Sequence, residues 1–167
     1  MTRLDSAIRR LTAQRALLDW AAADVAQRPG LILELGLGNG RTYDHLRDRL
    51  PGREIYAFER APAAHPDSTP REGYLVVGDI FETLPDFLRR FGPGCAALVH
   101  ADIGTGHQAE NRRLADQLGP LVAPLLCKGG LLLGDRPFPM EGCAEISAAA
   151  GAAAGRYFVY RRLAEVT

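Results

Sequence analysis

Apolar residues recur along one face of the first segment of the chain, at Leu4, Ile8, Leu11, Leu18, Ala22 and Val25. This spacing predicts one amphipathic helix from about residue 4 to residue 27, ended by Pro29 and Gly30. We expect its apolar stripe to pack on the domain. A helix–helix contact between two copies of the chain is the alternative use of the stripe.

Short apolar runs then alternate with helical stretches. Strands are predicted at residues 31–35, 54–58, 74–77, 96–101, 131–133 and 157–161. Helices are predicted at 41–50, 81–91, 108–127 with a break near Pro120, and 143–154, and a proline-rich loop at 61–71. The alternation predicts an α/β fold, a doubly wound and mostly parallel sheet of about six strands with helices on both faces. Residues 1–167 then form a single domain, in which an N-terminal helix (1–28) caps an α/β core (31–167).

The charge and cysteine content limit the partners and the compartment. The 167 residues include 20 basic and 20 acidic side chains. Because nucleic acid-binding proteins usually carry a basic excess, no nucleic acid partner is expected. The N-terminal segment lacks an apolar signal core, and no apolar run is long enough to span a bilayer, so no membrane partner is expected. Cys95, Cys127 and Cys143 are odd in number and form no CxxC pair, which is typical of free thiols in a cytoplasmic protein.

Three glycines follow the first predicted strand, in the stretch Glu34-Leu35-Gly36-Leu37-Gly38-Asn39-Gly40. In an open parallel sheet, ligands bind at the carboxyl ends of the strands. Glycines there permit a tight turn and a close approach of the backbone to a ligand, and the next helix offers N–H groups to an anion. On these grounds alone, NAD and other adenine-containing ligands are both allowed.

The spacing of the glycines separates these ligands. A dinucleotide site requires G-x-G-x-x-G, whose third glycine would fall at Arg41. The actual pattern is E-x-G-x-G-x-G, and the GxxxxGK[ST] phosphate loop is absent from the sequence. A nicotinamide-dependent oxidoreductase is therefore disfavoured.

At these residues the sequence resembles the class I S-adenosylmethionine-dependent methyltransferases, whose first motif is an acidic residue followed by alternating glycines. The resemblance continues through IYAFER, VVGDI, LVHADIG and LLCKGGLLLGD, and it spans residues 31–135. The stretches NGRTYDHL, AHPDSTP and HADIGTG resemble a group of small, poorly characterised bacterial members. The family usually has seven strands ending in an antiparallel hairpin. Only one predicted helix and one strand follow residue 133, so we expect that hairpin to be shortened.

The resemblance implies S-adenosyl-L-methionine as the cofactor. Glu34 would attract its ammonium group, directly or through water, and Glu59 would accept hydrogen bonds from the ribose hydroxyls. Asp79 would accept from the adenine amino group, a role that can coexist with capping the helix that follows it. The residues implied in cofactor binding are Glu34, Gly36, Leu37, Gly38, Asn39, Gly40, Thr42, Glu59, Arg60, Gly78, Asp79, Ile80 and Asp102.

The expected catalytic residues are Asp102, His107 and Asp135, on the loops after the fourth and fifth strands. Methyl transfer is an in-line displacement, so the protein mainly aligns the acceptor, and a general base is needed only if the acceptor must lose a proton. His107 could instead be an exposed histidine at the start of a helix. His100 is expected to be a packed strand residue.

No metal is expected. Catechol-type relatives hold magnesium with an Asp after strand four and an Asp-Asn pair around strand five. Asp102 and Asp135 lie at comparable places, but Arg136 stands where the Asn would be, and a guanidinium cannot ligate a cation. Arg136 could bind an acidic group of the substrate.

The resemblance thus implies an enzyme that methylates a small-molecule acceptor. The alternative is a domain that binds S-adenosylmethionine without catalysis, or a subunit of a complex. No substrate domain is inserted, so the acceptor would be recognised by the N-terminal helix and the loops near residues 61–71, 104 and 136, or by a second copy in a homo-oligomer.

Overall fold

A computed structural model describes residues 2–104, 107–152 and 155–165. The helices are α1 (Arg3–Val25), α2 (Arg41–Arg49), α3 (Ile80–Phe91) and α4 (Gln108–Val122), and short 3-10 helices lie at Pro66–Ser68 and Ala123–Leu125. The strands are β1 (Leu31–Leu35), β2 (Ile55–Glu59), β3 (Leu75–Val77), β4 (Ala96–Ala101), β5 (Leu126–Gly134), β6 (Cys143–Glu145) and β7 (Phe158–Arg162).

In the described part of the chain, all the strands belong to one seven-stranded sheet, in the order β3-β2-β1-β4-β5-β7-β6. The first five strands in that order are parallel, and β7 pairs antiparallel with both β5 and β6. This confirms the doubly wound, mostly parallel fold. The expected count of about six strands was too low by one, because the antiparallel hairpin of β6 and β7 is present.

The helix predicted at 143–154 is wrong. Cys143–Glu145 forms β6 instead, and its residues pair with Arg162, Arg161 and Tyr160 of β7. Alanine favours a helix locally, but β7 pairs with this segment at three positions and so holds it in an extended conformation. The backbone turns after β6, with Gly151 and Gly155 at positive φ, and residues 153–154 lie outside the described residues.

The two faces of the sheet carry separate apolar cores. Helices α1 and α2 cover one face, where Leu18 and Leu46 pack against Ile32. Helices α3 and α4 cover the other face, where Leu84 and Leu118 belong to the same cluster as the next residue of β1, Leu33. Successive strand side chains point to opposite faces, so the continuous apolar runs in the sequence reflect burial on both sides.

Helix α1 has two unlike halves. Its start is fixed by a capping box, in which Thr2 and Asp5 bind each other's backbone N–H groups. Its second half packs in the core as predicted. In the first half, Leu4, Ile8 and Leu11 are 68%, 53% and 38% exposed. The apolar stripe is therefore covered only from about the middle of the helix onward.

The other predicted elements lie close to the observed ones. β1 and β4 have the predicted bounds, whereas β5 begins five residues earlier than the predicted start at 131. Helix α4 continues through Pro120 and ends at Val122. Among the described residues, no helix combines the length and the apolar character needed to span a bilayer.

Candidate active site

The loop between β1 and α2 depends on its glycines. Gly36, Gly38 and Gly40 have φ values of 88°, 52° and 83°, which favour glycine. A Cβ on Gly36 would lie 2.9 Å from Cγ1 of Ile103, and a Cβ on Gly40 would lie 2.5 Å from the carbonyl oxygen of Ser68. Around Gly38, by contrast, no atom of the described residues lies within 4 Å of that position. The loop is therefore packed at both ends and open at its centre.

Glu34 closes the base of this loop from inside the protein. Its side chain is fully buried, the hydroxyl of Thr42 donates to its Oε1, and Nδ1 of His100 lies 2.9 Å from its Oε2. Glu34 and His100 are direct partners in the register of β1 and β4. Thr42 belongs to the first turn of α2, so one carboxylate connects two strands and a helix.

The environment of His100 favours its charged form. Burial lowers its pKa, but the charge and hydrogen bond of Glu34 raise it, with smaller contributions from Asp102 and Asp135, and the net pKa is raised. His100 is thus the packed strand histidine that was expected, and it is also the charge partner of Glu34.

Glu59, at the end of β2, lies beside the open centre of the glycine loop. Its Oε2 accepts from the N–H of Gly38 and its Oε1 from the N–H of Ala61, both at 3.0 Å. Burial raises the pKa of Glu59, but these and neighbouring backbone N–H groups outweigh burial, so the pKa is lowered. Glu59 is therefore ionised and acceptor-only, as a site for two vicinal hydroxyls requires.

The next strand end carries Gly78, Asp79 and Ile80. Oδ1 of Asp79 accepts from the N–H of Phe81 at 2.9 Å, so Asp79 caps α3, which begins at Ile80. Asp79 is exposed. The expected capping role of Asp79 is therefore confirmed. Its contact with adenine stays a prediction.

The remaining residues expected at the cofactor differ in exposure. Leu37 is buried in the core, whereas Asn39 and Arg60 are exposed. Oδ1 of Asn39 accepts from the N–H of Arg41, the first residue of α2, at 3.2 Å. Their contacts with a cofactor stay predictions.

Asp102 and Asp135 follow the neighbouring strands β4 and β5, but they have different partners. Nε2 of Gln14 donates to Oδ2 of Asp102 at 2.9 Å. Both oxygens of Asp135 accept from Arg136, each at 2.7 Å. Asp135 is thus engaged by a cation on both oxygens, whereas Asp102 binds a neutral amide. The geometry therefore favours Asp102 over Asp135 as a base. His107 lies just before α4 and is exposed.

A cavity of about 1170 Å³ is lined by Asp135. Its walls are the first half of α4 and the segment 135–139, which includes Asp135, Arg136 and Phe138. Gly119 of α4 packs against the backbone of Pro139, which holds the two walls together.

Three comparisons with known proteins bear on this arrangement. A model of the S-adenosyl-L-methionine methyltransferase family matches residues 1–162. The chain belongs to this family.

Solved structures agree with this assignment. The S-adenosyl-L-methionine methyl transferase from Silicibacter pomeroyi DSS-3 is 51% identical, with a TM-score of 0.90 over 97% of this chain and 99% of that chain. TrmN from Thermus thermophilus is 20% identical, with a TM-score of 0.55 over 87% of this chain and 48% of that chain. The MycE methyltransferase of mycinamycin biosynthesis, in complex with Mg and SAH, is 14% identical. Its TM-score is 0.54 over 85% of this chain and 43% of that chain. The last two show the fold alone, and no curated protein matches the chain.

The methyltransferase is thus an enzyme whose cofactor is S-adenosyl-L-methionine, as the sequence resemblance implied, and the oxidoreductase is the alternative that the glycine spacing already disfavoured. The residues present fit this cofactor. The backbone at Gly38 borders open space, and the ionised Glu59 lies directly beside it. The half-buried carboxylate of Asp102 at the end of β4, which binds the neutral amide of Gln14, suits a ligand that carries a positive sulfur and an ammonium group. The expected contact of Glu34 with the ammonium group stays a prediction, because the Glu34 oxygens contact Thr42 and His100.

No metal ligand set is evident at this edge of the methyltransferase. Both oxygens of Asp135 bind the Arg136 guanidinium. Within residues 2–104, 107–152 and 155–165, no three His, Cys, Asp or Glu side chains form a group that could hold an ion. The expectation that the enzyme needs no metal stays a prediction.

Sequence reasoning missed two residues at this site. Gln14 contacts Asp102 from α1, and the Tyr157 hydroxyl lies 3.5 Å from the carbonyl oxygen of Arg10. Burial, followed by the charge of Asp102, raises the pKa of Tyr157 to about 12, so Tyr157 stays protonated. Neither residue belongs to a motif, and only the packing of α1 over the sheet brings them to the site.

We predict that the stability of the methyltransferase falls as pH rises above about 6.5, where an unperturbed histidine titrates. The folded pKa of His100 is raised. The stabilisation from its protonation is therefore complete below the unfolded pKa and is lost as pH rises through the folded pKa. In Glu34→Gln this loss should disappear, because burial alone would lower the pKa of His100.

Urea unfolding of the wild type and Glu34→Gln between about pH 6 and pH 9 measures this effect. Glu34→Gln should be less stable by about 1–3 kcal/mol at the acidic end, with a smaller difference at the alkaline end. Glu72→Gln, at an exposed carboxylate, should follow the wild type. Parallel curves for Glu34→Gln and the wild type would show that the pair is not charged.

Proposed function

We propose that the methyltransferase acts on a small-molecule acceptor that binds in the cavity between α4 and segment 135–139. The observation that carries this proposal is the position of the cavity, whose wall includes Asp135 next to Asp102 at the carboxyl edge of the sheet. Its volume of about 1170 Å³ is somewhat above the range of about 300–1,000 Å³ that is typical of small-molecule sites. The equal numbers of acidic and basic side chains favour a small molecule over a nucleic acid.

The residues divide the work according to their environments. When bound, S-adenosyl-L-methionine supplies a methyl group activated by a positively charged sulfur. The residues that would hold it are the glycine loop, Glu59 and the Asp79–Ile80 strand end, with Glu34 supporting the loop from beneath. Alignment of the two reactants can lower the activation barrier by about 7–11 kcal/mol. Asp102, fixed by Gln14, accepts a proton from the acceptor where the reaction releases one.

Asp102→Asn should lower turnover by about 10²–10⁴-fold if the acceptor must lose a proton, with little change in the affinity for S-adenosylhomocysteine. Asparagine keeps the size of the side chain but removes its basicity. Transfer of radiolabelled methyl groups to a low-molecular-weight cell extract measures turnover, and calorimetry measures affinity.

Asp48→Asn is the matched control, because Asp48 is an exposed carboxylate of α2, on the face of the sheet opposite α4. It should keep wild-type turnover. Full activity of Asp102→Asn would remove Asp102 as the base. Labelling confined to macromolecules would contradict a small-molecule acceptor.

We also propose that the enzyme works in the bacterial cytoplasm and as a homo-oligomer. The bacterial relative at 51% identity supports the source, and the three free thiols support a reducing compartment.

The exposed Leu4, Ile8 and Leu11 support a contact between copies. Sedimentation should then give a mass above the monomer, and Ile8→Glu should shift it to the monomer while Ala16→Glu, at an exposed position two turns further along α1, should not. A monomeric wild type with full activity would remove the oligomer.

A further inference from the structure

We infer that the methyl acceptor carries a carboxylate group, which Arg136 binds at the wall of the cavity. This inference rests on the proposed function, since it names the chemical class of the acceptor. It also identifies Arg136, rather than an Asn, as the residue that determines acceptor specificity after β5.

The first observation is the unequal use of the guanidinium of Arg136. Its Nε and Nη2 each donate to Asp135 at 2.7 Å. Its Nη1 is buried, and no atom of the described residues accepts a hydrogen bond from it. Buried polar atoms almost always have partners, and a charged donor left without one is costly. An acceptor group that arrives with the substrate would supply the missing partner.

The guanidinium is held firmly in this position. The Arg136 side chain is only 14% exposed. A Cβ on Gly104 would lie 2.5 Å from its Nη2, so the backbone after β4 packs directly on the guanidinium. The hydrogen bonds that Arg136 donates to Asp135 raise the pKa of Arg136, despite burial, so the group stays charged. A planar, fixed and permanently charged fork is suited to a carboxylate.

The rest of the cavity wall selects among anionic ligands. Pro137, Phe138 and Pro139 form an apolar side, which suits an apolar ligand body. Opposite them, Arg112 and Asp116 are exposed and lie one turn apart on α4, so their charges largely offset each other. Arg136 is thus the buried cation of this wall.

The charge of the anion is limited by the neighbouring aspartates. Asp135 is bound to Arg136, and the charge of Asp102 also acts on the guanidinium. Their combined negative field disfavours a doubly charged group such as a phosphate more strongly than a singly charged carboxylate. The structure therefore favours a monocarboxylate with an apolar body.

The carboxylate of the cofactor is the competing partner for Arg136. The sheet order argues against it, because the glycine loop follows β1 and Arg136 follows β5, with β4 between these strands. Arg136 lines the cavity on the far side of β4 from the glycine loop. The experiment below separates the two ligands.

Ligand-observed NMR on the whole enzyme saturated with S-adenosylhomocysteine tests the inference. The probes are matched pairs of acid and amide: benzoate with benzamide, and hexanoate with hexanamide. At least one acid should bind about 10-fold or more tightly than its amide, as one additional charge-assisted hydrogen bond would give. Arg136→Gln should abolish that preference and Arg136→Lys should retain part of it. Arg112→Gln, at the other arginine of the wall, should keep it within about twofold.

Equal binding of acids and amides to the wild type, or binding of neither, would overturn the inference without use of any variant. Loss of S-adenosylhomocysteine affinity in Arg136→Gln, with thermal stability retained, would assign Arg136 to the cofactor and overturn it as well. Methyl transfer to a non-acidic metabolite would overturn it and leave the proposed function intact. Failure of the wild type to transfer methyl to any small molecule would instead contradict the proposed function.

Discussion

The buried pair of Glu34 and His100 is the constraint on which the rest of the site depends. A carboxylate in the middle of a sheet requires a charged or hydrogen-bonding partner, because burial without one is strongly unfavourable. Glu34 has two such partners, His100 on β4 and Thr42 on α2. The contacts fix the carboxyl end of β1 against its neighbour and hold the start of α2 close to the strand. The chain must then turn between them within a few residues, and this explains the positive φ values of Gly36, Gly38 and Gly40.

The four carboxylates along this edge differ in their partners, and the partners indicate their roles. Glu34 binds a cation and a hydroxyl in the core, where it supports the loop. Glu59 binds backbone N–H groups, remains ionised and borders open space. Asp102 binds the neutral amide of Gln14, whereas Asp135 binds a guanidinium. Similar side chains thus meet different environments, in which Glu34 supports the loop and Asp135 holds Arg136, while ligand binding by Glu59 and proton acceptance by Asp102 stay proposals.

The sequence predicted most of the fold because β1, β4 and the helices carry clear apolar periods and breakers. The Ala-rich segment 143–154 misled because local propensity favours a helix, while the pairing of β6 with β7 depends on residues 158–162, which are distant in the chain. Glu34 and His100 both lie near the carboxyl ends of predicted strands, but their pairing depends on the order of the strands in the sheet, which was not predicted. Gln14 and Tyr157 could not be predicted as site residues, because only the packing of α1 over the sheet brings them to the site. The single-domain organisation and the individual cofactor contacts stay predictions.

The central claim is that the glycine loop and Glu59 form one cofactor cradle, ordered by the N–H of Gly38 on Oε2 of Glu59. Calorimetric titration of S-adenosylhomocysteine into the wild type, Glu59→Gln and Glu54→Gln tests it most directly. Glu54 precedes β2 at the opposite end from Glu59, where it binds Tyr74. We expect Glu59→Gln to bind about 10–100-fold more weakly than the wild type and Glu54→Gln to bind equally well. Equal affinity of all three proteins would contradict the account, because the cofactor would then bind elsewhere.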